Sequence, residues 1–309
     1  MITDQAHALS QLNQSQQERL RYIELRLRFL GVIQRPDLIN RFGIQSAAAS
    51  RDVALYKAIA PDNIEYDRST KRYVCGKHFR PLFAVDVDHV LIWLANQTGS
   101  TIADSNAPAL TCITPARLTQ PLLAILPIIT RAIHGNQVLE IEYHAITSGK
   151  SKRVIIPFAL IDTGLHWLIR AFDRKTSEFR DFVLTRISRV KALSSAVIAQ
   201  HEASEFDIQW NRVVELDLVP HPSHPRPDIT EMDFGMVENH LRIRLRAAVA
   251  GYMLRRWSVD CSPDHSLRGS EYQLWLKDNL ILYGVKNALI APGYVQSDTN
   301  DGSSVGDEV

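Results

Sequence analysis

The chain has 309 residues, of which 45% are apolar and 22% charged, and 35 Lys+Arg balance 34 Asp+Glu to a formal net charge of +1. That length implies about two to three domains, and the ordinary composition excludes a fibrous or wholly disordered chain. No run of about 18 apolar residues exists and the polar start MITDQAHALSQLNQSQQ lacks the apolar stretch of a secretory signal. Cys75, Cys112 and Cys261 are isolated, so the expected setting is a reducing cytoplasm with no disulfide framework and no membrane partner.

The first expected helix opens at Ser15-Gln-Gln-Glu18, which matches a capping box. It carries Leu20, Ile23, Leu27 and Leu30 at helical spacing and closes at Gly31. The stretch Arg35–Tyr56 then reads as two short helices around a tight turn. Pro36 suits a first helical turn, Leu38, Ile39 and Phe42 make one apolar face, and Gly43 supplies the positive φ that ends it. Ser46 is an expected N-cap for the next helix, in which Ala49, Val53 and Tyr56 face the core. Ala47, Ser50, Arg51 and Ala54 lie outward, and small residues there let a helix enter the major groove closely.

Downstream, Ile64-Glu-Tyr66 and Arg72-Tyr-Val74 flank Asp67-Arg-Ser-Thr-Lys71, a hairpin pattern with a basic tip. Three helices and this hairpin make a winged helix-turn-helix over residues 1–80, which carry 13 Lys+Arg against 8 Asp+Glu. The expected DNA-binding residues are Gln45, Ser46, Ala47, Ser50 and Arg51 at the groove, with Arg68, Lys71 and Arg72 at the wing for phosphate contact.

Residues 81–135 form an expected helical linker and dimerisation segment. Residues 83–97 and 116–134 are apolar, with Leu122, Ile125, Ile129 and Ile133 in a helical stripe, and the turn-rich 98–115 lies between them. The period then changes. Residues 138–143, 154–156, 166–171, 180–184 and 190–193 read as short strands, with turns at Ser148-Gly149, Asp162-Thr-Gly164 and 173–176, so 136–200 is expected to be a small all-β barrel.

Tyr143-His-Ala-Ile-Thr-Ser-Gly149, Arg153-Val-Ile-Ile-Pro157, Trp167-Leu-Ile-Arg170 and Phe179-Arg-Asp-Phe-Val-Leu-Thr-Arg-Ile187 occur in that order. Together they resemble the WYL domain, an Sm-like barrel, although only the tryptophan of its name-giving triplet is kept in Trp167-Leu168-Ile169, and Phe158 replaces a common histidine. Residues 201–296, with Val213-Val-Glu-Leu-Asp-Leu-Val-Pro-His-Pro222 and Arg246–Trp257, resemble the small α/β extension that follows WYL domains and are expected to share in the dimer contacts. The whole order resembles the homodimeric WYL regulators found beside bacterial anti-phage defence islands. The resemblance implies an α+β multidomain fold of winged helix-turn-helix, helical linker, Sm-like barrel and α/β extension. It also implies a homodimeric repressor on a double-stranded inverted-repeat operator, controlled by an effector on the barrel.

The barrel segment carries 10 Lys+Arg against 6 Asp+Glu over residues 136–200, and arginines beside an aromatic suit a nucleotide or nucleic-acid effector. The expected effector residues are Tyr143, Arg153, Arg170 and Arg180, joined by His144, Ser148 and Trp167 from the resembling motifs. The competing expectation is that these arginines pair with Asp162, Asp173, Glu178 and Asp181, that Arg186 braces a strand end, and that Trp167 is core. A second functional reading is an accessory protein whose barrel binds RNA or single-stranded DNA without promoter control. Asp86-Val-Asp88-His89 opens an apolar helix and His221 with His224 sits in a proline-rich loop, so no metal site is assigned. No catalytic residue and no cofactor is assigned either. Residues 297–309 read as a disordered acidic tail.

Overall fold

The computed structural model describes residues 8–96, 112, 115, 117–193 and 195–296. The acidic tail and almost all of 98–115 lie outside the described residues. The chain divides into two compact units, residues 1–116 and 117–309. No helix among the described residues is long and apolar enough to cross a membrane.

In the first unit α1 spans Gln14–Leu30. Its capping box lies two residues earlier than Ser15 and Glu18. Asn13 Oδ1 accepts from the Gln16 N–H at 2.9 Å, and Gln16 Oε1 accepts from the Asn13 N–H at 3.4 Å. An amide pair does what a hydroxyl–carboxylate pair does elsewhere, because both need only an acceptor at each end. Gly31 ends α1 at φ +75°, and β1 (Val32–Ile33) follows. Helix α2 spans Arg35–Phe42, with the Gln34 N–H donating to Asp37 at 2.7 Å, and Gly43 ends it at φ +63°. Helix α3 spans Ser46–Ile59, so Ser46 is the first helical residue and extended Gln45 takes the N-cap position instead.

Strands β2 (Ile64–Asp67) and β3 (Arg72–Cys75) make the expected hairpin, and β1 joins it in the order β1-β3-β2. Leu20, Ile23, Leu27, Leu38, Ala49, Val53 and Tyr56 form one buried core, each large side chain contributing about 1.5–3 kcal/mol. Helix α4 (Val87–Asn96) continues this unit, since Phe83 and Trp93 pack into the same core.

A buried carboxylate fixes that continuation. Glu24 accepts from the Tyr56 hydroxyl at 3.0 Å and from the N–H groups of Leu82 and Phe83 at 2.9 and 3.0 Å. Burial beside this carboxylate pushes the Tyr56 phenol well above its usual value. Asn63 extends the network, donating to Tyr56 Oη at 3.1 Å and to the Arg80 carbonyl at 2.7 Å.

In the second unit α5 (Leu126–His134) lies on a five-stranded antiparallel sheet, order β7-β6-β5-β4-β8. The strands are β4 (Leu139–Ala145), β5 (Gly149–Asp162), β6 (Trp167–Asp173), β7 (Glu178–Val183) and β8 (Ile187–Ala192). Ile129 and Ala132 of α5 share a core with Leu139, Ile141, Ile155 and Ile169. The expected closed barrel is corrected: β7 and β8 are the two edges, and no described pairing joins them. Strand β5 is far longer than Val154-Ile-Ile. It bends at a bulge between Pro157 and Ala159, where the proline has no N–H for the ladder.

The C-terminal part is a three-stranded sheet, β10-β9-β11, built from β9 (Val213–Pro220), β10 (Leu241–Arg246) and β11 (Leu274–Leu276). Two helices accompany it after the short α6 (Ile208–Asn211), namely α7 (Pro227–Phe234) and α8 (Ala247–Arg256). Ala247, Ala250 and Leu254 of α8 pack on Val214, Leu216 and Leu218 of β9. Gly251 is required there, because a Cβ would sit 1.9 Å from the Asn287 carbonyl oxygen. The five-stranded sheet meets this extension through Ile161, Leu168 and Val183 against Trp210, Val249 and Tyr252.

Candidate nucleic-acid interface

Helix α3 presents a narrow, nearly uncharged outer face. Gln45, Ser46, Ala47, Arg51 and Ala54 are exposed and Ser50 is half-buried. Its inner face holds Ala49, Val53 and Tyr56, all buried, so the helix has one orientation. The rotation is locked further by Asp52. This carboxylate is buried and takes Arg19 of α1 in a fork, Nε at 2.6 Å and Nη2 at 3.3 Å. Sequence reasoning missed this clamp. Its signal was a charged residue inside the apolar stripe, and Glu24 between Ile23 and Leu27 carried the same signal.

The wing is pre-shaped by Asp67. Its carboxylate accepts from the Ser69 N–H at 2.8 Å, the Ser69 hydroxyl at 2.7 Å and the Thr70 hydroxyl at 2.6 Å. These bonds to the charged form hold the Asp67 carboxyl down at about 2. Lys71 then turns the chain at φ +54°, and Arg68, Lys71 and Arg72 are all exposed around the tip. The third strand, unforeseen from sequence, ties the wing to the helices, since the Cys75 N–H donates to the Gly31 carbonyl at 2.9 Å. A short-side-chain helix beside a rigid basic hairpin is suited to groove entry with flanking phosphate contact.

The expected effector residues scatter over the five-stranded sheet. Tyr143 is buried, packs edge-on against Phe182 at 5.1 Å between centroids, and accepts from the Val183 N–H at 3.3 Å. His144 is exposed and bonded to the Ser188 hydroxyl at 3.0 Å, and Ser148 lies in the exposed β4–β5 turn. Arg153 is buried opposite Ile141 and donates to Asp173 at 2.7 Å. Arg170 is buried too. Its Nε and Nη2 donate to Asp207 at 2.7 and 3.1 Å, and its Nη1 donates to Asp181 at 3.1 Å.

Asp173 and Arg170 are three residues apart on one strand, so their side chains leave opposite faces of the sheet. Arg153 and Arg170 therefore do not converge, and the four expected effector residues are spread over both faces of the sheet. The pairing alternative describes these two arginines, but in buried pairs rather than surface ones. Arg180 is half-buried opposite Ala171, and Trp167 is half-buried with the Arg117 guanidinium 5.4 Å from its ring centroid.

Arg170 joins the sheet to the extension, because Asp207 precedes α6 and the second oxygen of Asp181 accepts from the Tyr252 hydroxyl of α8 at 3.0 Å. Burial pushes the Asp181 carboxyl up, and the facing carboxylates keep Arg170 firmly charged against its own burial. The two histidines set aside as metal ligands are otherwise engaged. His221 bonds Asp260 at 3.0 Å and Ser223 at 2.7 Å, and His224 bonds the Tyr272 carbonyl at 2.9 Å.

Comparison with known proteins matches three family models along the chain. They are the BrxR transcriptional regulator winged helix-turn-helix domain at residues 15–96, the WYL domain at 124–192, and the BrxR transcriptional regulator C-terminal dimerization domain at 213–280. The DNA-binding transcriptional repressor CapW of Escherichia coli (strain KTE188) is 30% identical over 281 residues, covering 87% of this chain and 91% of the relative. The chain belongs to this BrxR and CapW family. CapW of Pseudomonas aeruginosa is 30% identical over 250 residues, covering 77% of this chain and 81% of the relative. CapW of Stenotrophomonas maltophilia is 28% identical over 272 residues, covering 81% and 86%.

Among solved structures, proteasome accessory factor B/C (PafBC) of Arthrobacter aurescens aligns over 76% of this chain and 44% of that one, at 16% identity and a TM-score of 0.24. The winged-helix match ends where α4 ends. The WYL match takes in α5. Both helices of the segment read as a linker thus fall within matched domains.

Proposed function

We propose that the chain is a homodimeric DNA-binding repressor of transcription that controls a phage-defence operon and responds to an effector at the WYL domain. The observation that carries this reading is the outer face of α3. It is made of small side chains, charged only at Arg51 and, in the last turn, Lys57, and held at one rotation by the Arg19–Asp52 fork, inside a family whose relatives are named DNA-binding repressors.

One recognition helix reads too few base pairs for a unique site, so two copies on an inverted repeat are required, with half-sites about one helical turn apart or a multiple of it. The stretch matched by the dimerization model supplies exposed apolar side chains for such a contact: Ile229, Met232 and Val237. In this reading Arg51 and Ser50 contact base edges, with Gln45, Ser46 and Ala47 at the groove wall. Arg68, Lys71 and Arg72 contact phosphates.

The test is a reporter gene driven by the DNA upstream of the protein's own gene. Expression of the chain lowers reporter output, and Arg51→Ala restores it while leaving the protein dimeric. Reporter output indifferent to the protein overturns the reading.

A further inference from the structure

The hairpin between β5 and β6 is a rigid knot surrounded by cations. The Thr163 N–H and hydroxyl both donate to the His166 carbonyl, at 3.0 and 2.9 Å, and the Gly164 N–H donates to Asp162 at 2.8 Å. Arg117 donates to Asp162 at 2.5 Å while lying across the Trp167 ring. The Arg256 guanidinium packs directly on Gly164, where a Cβ would stand 2.8 Å from its central carbon. Arg255 precedes it in the last turn of α8, and Arg186 approaches from the turn before β8. The charges of Arg186 and Arg255 reach His166 and, after burial itself, hold its imidazole below the usual range.

Two features of this cluster are unexplained by the protein alone. Among the described residues, Arg186, Arg255 and Arg256 have no carboxylate within ion-pair distance, while Arg117 alone pairs with Asp162; Arg256 lies on Gly164, and the charges of Arg186 and Arg255 reach His166. Arginines at the end of a helix gain from its dipole, which accounts for Arg255 and Arg256 separately but not for Arg186 and Arg117 joining them. In addition, His166 Nδ1 is buried without any hydrogen-bond partner. An unpaired buried ring nitrogen is costly, and an anion oxygen is one partner that would satisfy it.

We infer that Arg117, Arg186, Arg255, Arg256 and His166 form a binding site for a terminal phosphate group. Guanidinium forks match phosphate oxygens in pairs, and an anion offsets the mutual repulsion of the four cations. The site spans two parts of the fold, with Arg186 on the WYL sheet and Arg255 and Arg256 on the extension. A ligand that touches both favours one setting of sheet against extension, which is what an effector must do. The assignment rests on the effector-controlled reading above and moves the effector from the buried Arg153 and Arg170 to this hairpin. The phosphate comes from either a free mononucleotide or the 5′ end of a short single strand.

The test is calorimetric titration of the full-length protein with four probes: pyrophosphate, adenosine 5′-monophosphate, a 5′-phosphorylated trithymidylate and its 5′-hydroxyl counterpart. Pyrophosphate binds, and Arg255→Ala/Arg256→Ala and Arg186→Ala each weaken it by roughly tenfold or more. Arg242→Ala, which removes an exposed arginine of β10, leaves binding within about twofold. Tighter binding of the mononucleotide than of the phosphorylated trimer names the free nucleotide as the source, and the reverse names the strand end.

No pyrophosphate binding overturns the site, as does equal loss in Arg242→Ala. Preference for the 5′-hydroxyl trimer overturns it as well. Operator binding is measured on the same preparation. Intact operator binding without anion binding overturns the site and leaves the repressor standing. Anion binding without operator binding overturns the repressor reading instead.

Discussion

Replacing Arg170 by Met tests whether that side chain is an internal clamp or a ligand contact. Arg170, Asp207 and Asp181 have side chains only 5%, 2% and 12% exposed, and the guanidinium makes three bonds of 2.7, 3.1 and 3.1 Å to the two carboxylates. Met preserves the volume but leaves two buried carboxylates facing each other. Breaking a buried ion pair from one side costs about 3–5 kcal/mol. At about 2–4 °C per kcal/mol for a unit of this size, the melting temperature falls by roughly 6–20 °C.

The loss also acquires a pH dependence. Burial already raises the native Asp181 carboxyl, so its neutral form is the one folding favours. Stability from such a group is full below its unfolded value and is lost as pH rises through the native one. The deficit of Arg170→Met is therefore largest near pH 8 and narrows toward pH 5. Urea titrations of the full chain at both pH values, followed by tryptophan fluorescence, measure it. A variant within about 1 kcal/mol of the parent at pH 8, yet deaf to effector, refutes the clamp and returns Arg170 to the ligand.

Arg51→Ala lowers affinity for the specific site by about 1–3 kcal/mol and leaves random DNA nearly unchanged, whereas Lys71→Ala weakens both alike and flattens the salt dependence; fluorescence anisotropy at several salt concentrations separates them. Asp67, at about 2 in the native wing, titrates by NMR well below an unbonded aspartate. Because that value is depressed, the wing turn holds above the unfolded value and loosens as pH falls through the native one. Asp52→Ala frees the rotation of α3, so specific binding falls by roughly tenfold or more while circular dichroism shows α1 and α3 still helical. Met232→Asp on α7 weakens the dimer by roughly tenfold or more in sedimentation equilibrium, and an unchanged dimer constant removes that face from the interface.

The winged helix was legible because its signals are local. Apolar spacing at Leu20, Ile23 and Leu27, the two helix-ending glycines Gly31 and Gly43, and the turn residues of Asp67–Lys71 each act over a few positions. The exposed residues of α3 followed directly from the buried ones. What escaped was long-range. The two-residue β1 has no pattern of its own and exists only because β3 offers it hydrogen bonds. The Arg19–Asp52 and Glu24–Tyr56 contacts join residues about thirty apart, and a carboxylate in an apolar stripe signals burial without naming its partner.

The buried pairing of the expected effector arginines was hidden for a related reason. Strand alternation sets the face of each arginine, and the bulge in β5 together with the ends of β6 decided which faces met. Arg153 and Arg170 looked alike in sequence because both lie on strands, yet each found a buried aspartate on its own side. The cations without such partners among the described residues, Arg186, Arg255 and Arg256, come from a turn and a helix end. No periodicity brings these together; only the packing of α8 beside the β5–β6 hairpin does.

The most direct measurement of the central claim is the affinity of the full-length protein for DNA upstream of its own gene against a shuffled duplex, at one fixed salt concentration, with a footprint on the bound complex. The account predicts affinity about 10³-fold or more tighter for the upstream duplex. It also predicts a two-fold symmetric footprint whose halves lie about one helical turn apart or a multiple of it, and loss of that preference in Arg51→Ala. Equal affinity for the two duplexes, or a single unpaired protected half-site, contradicts it.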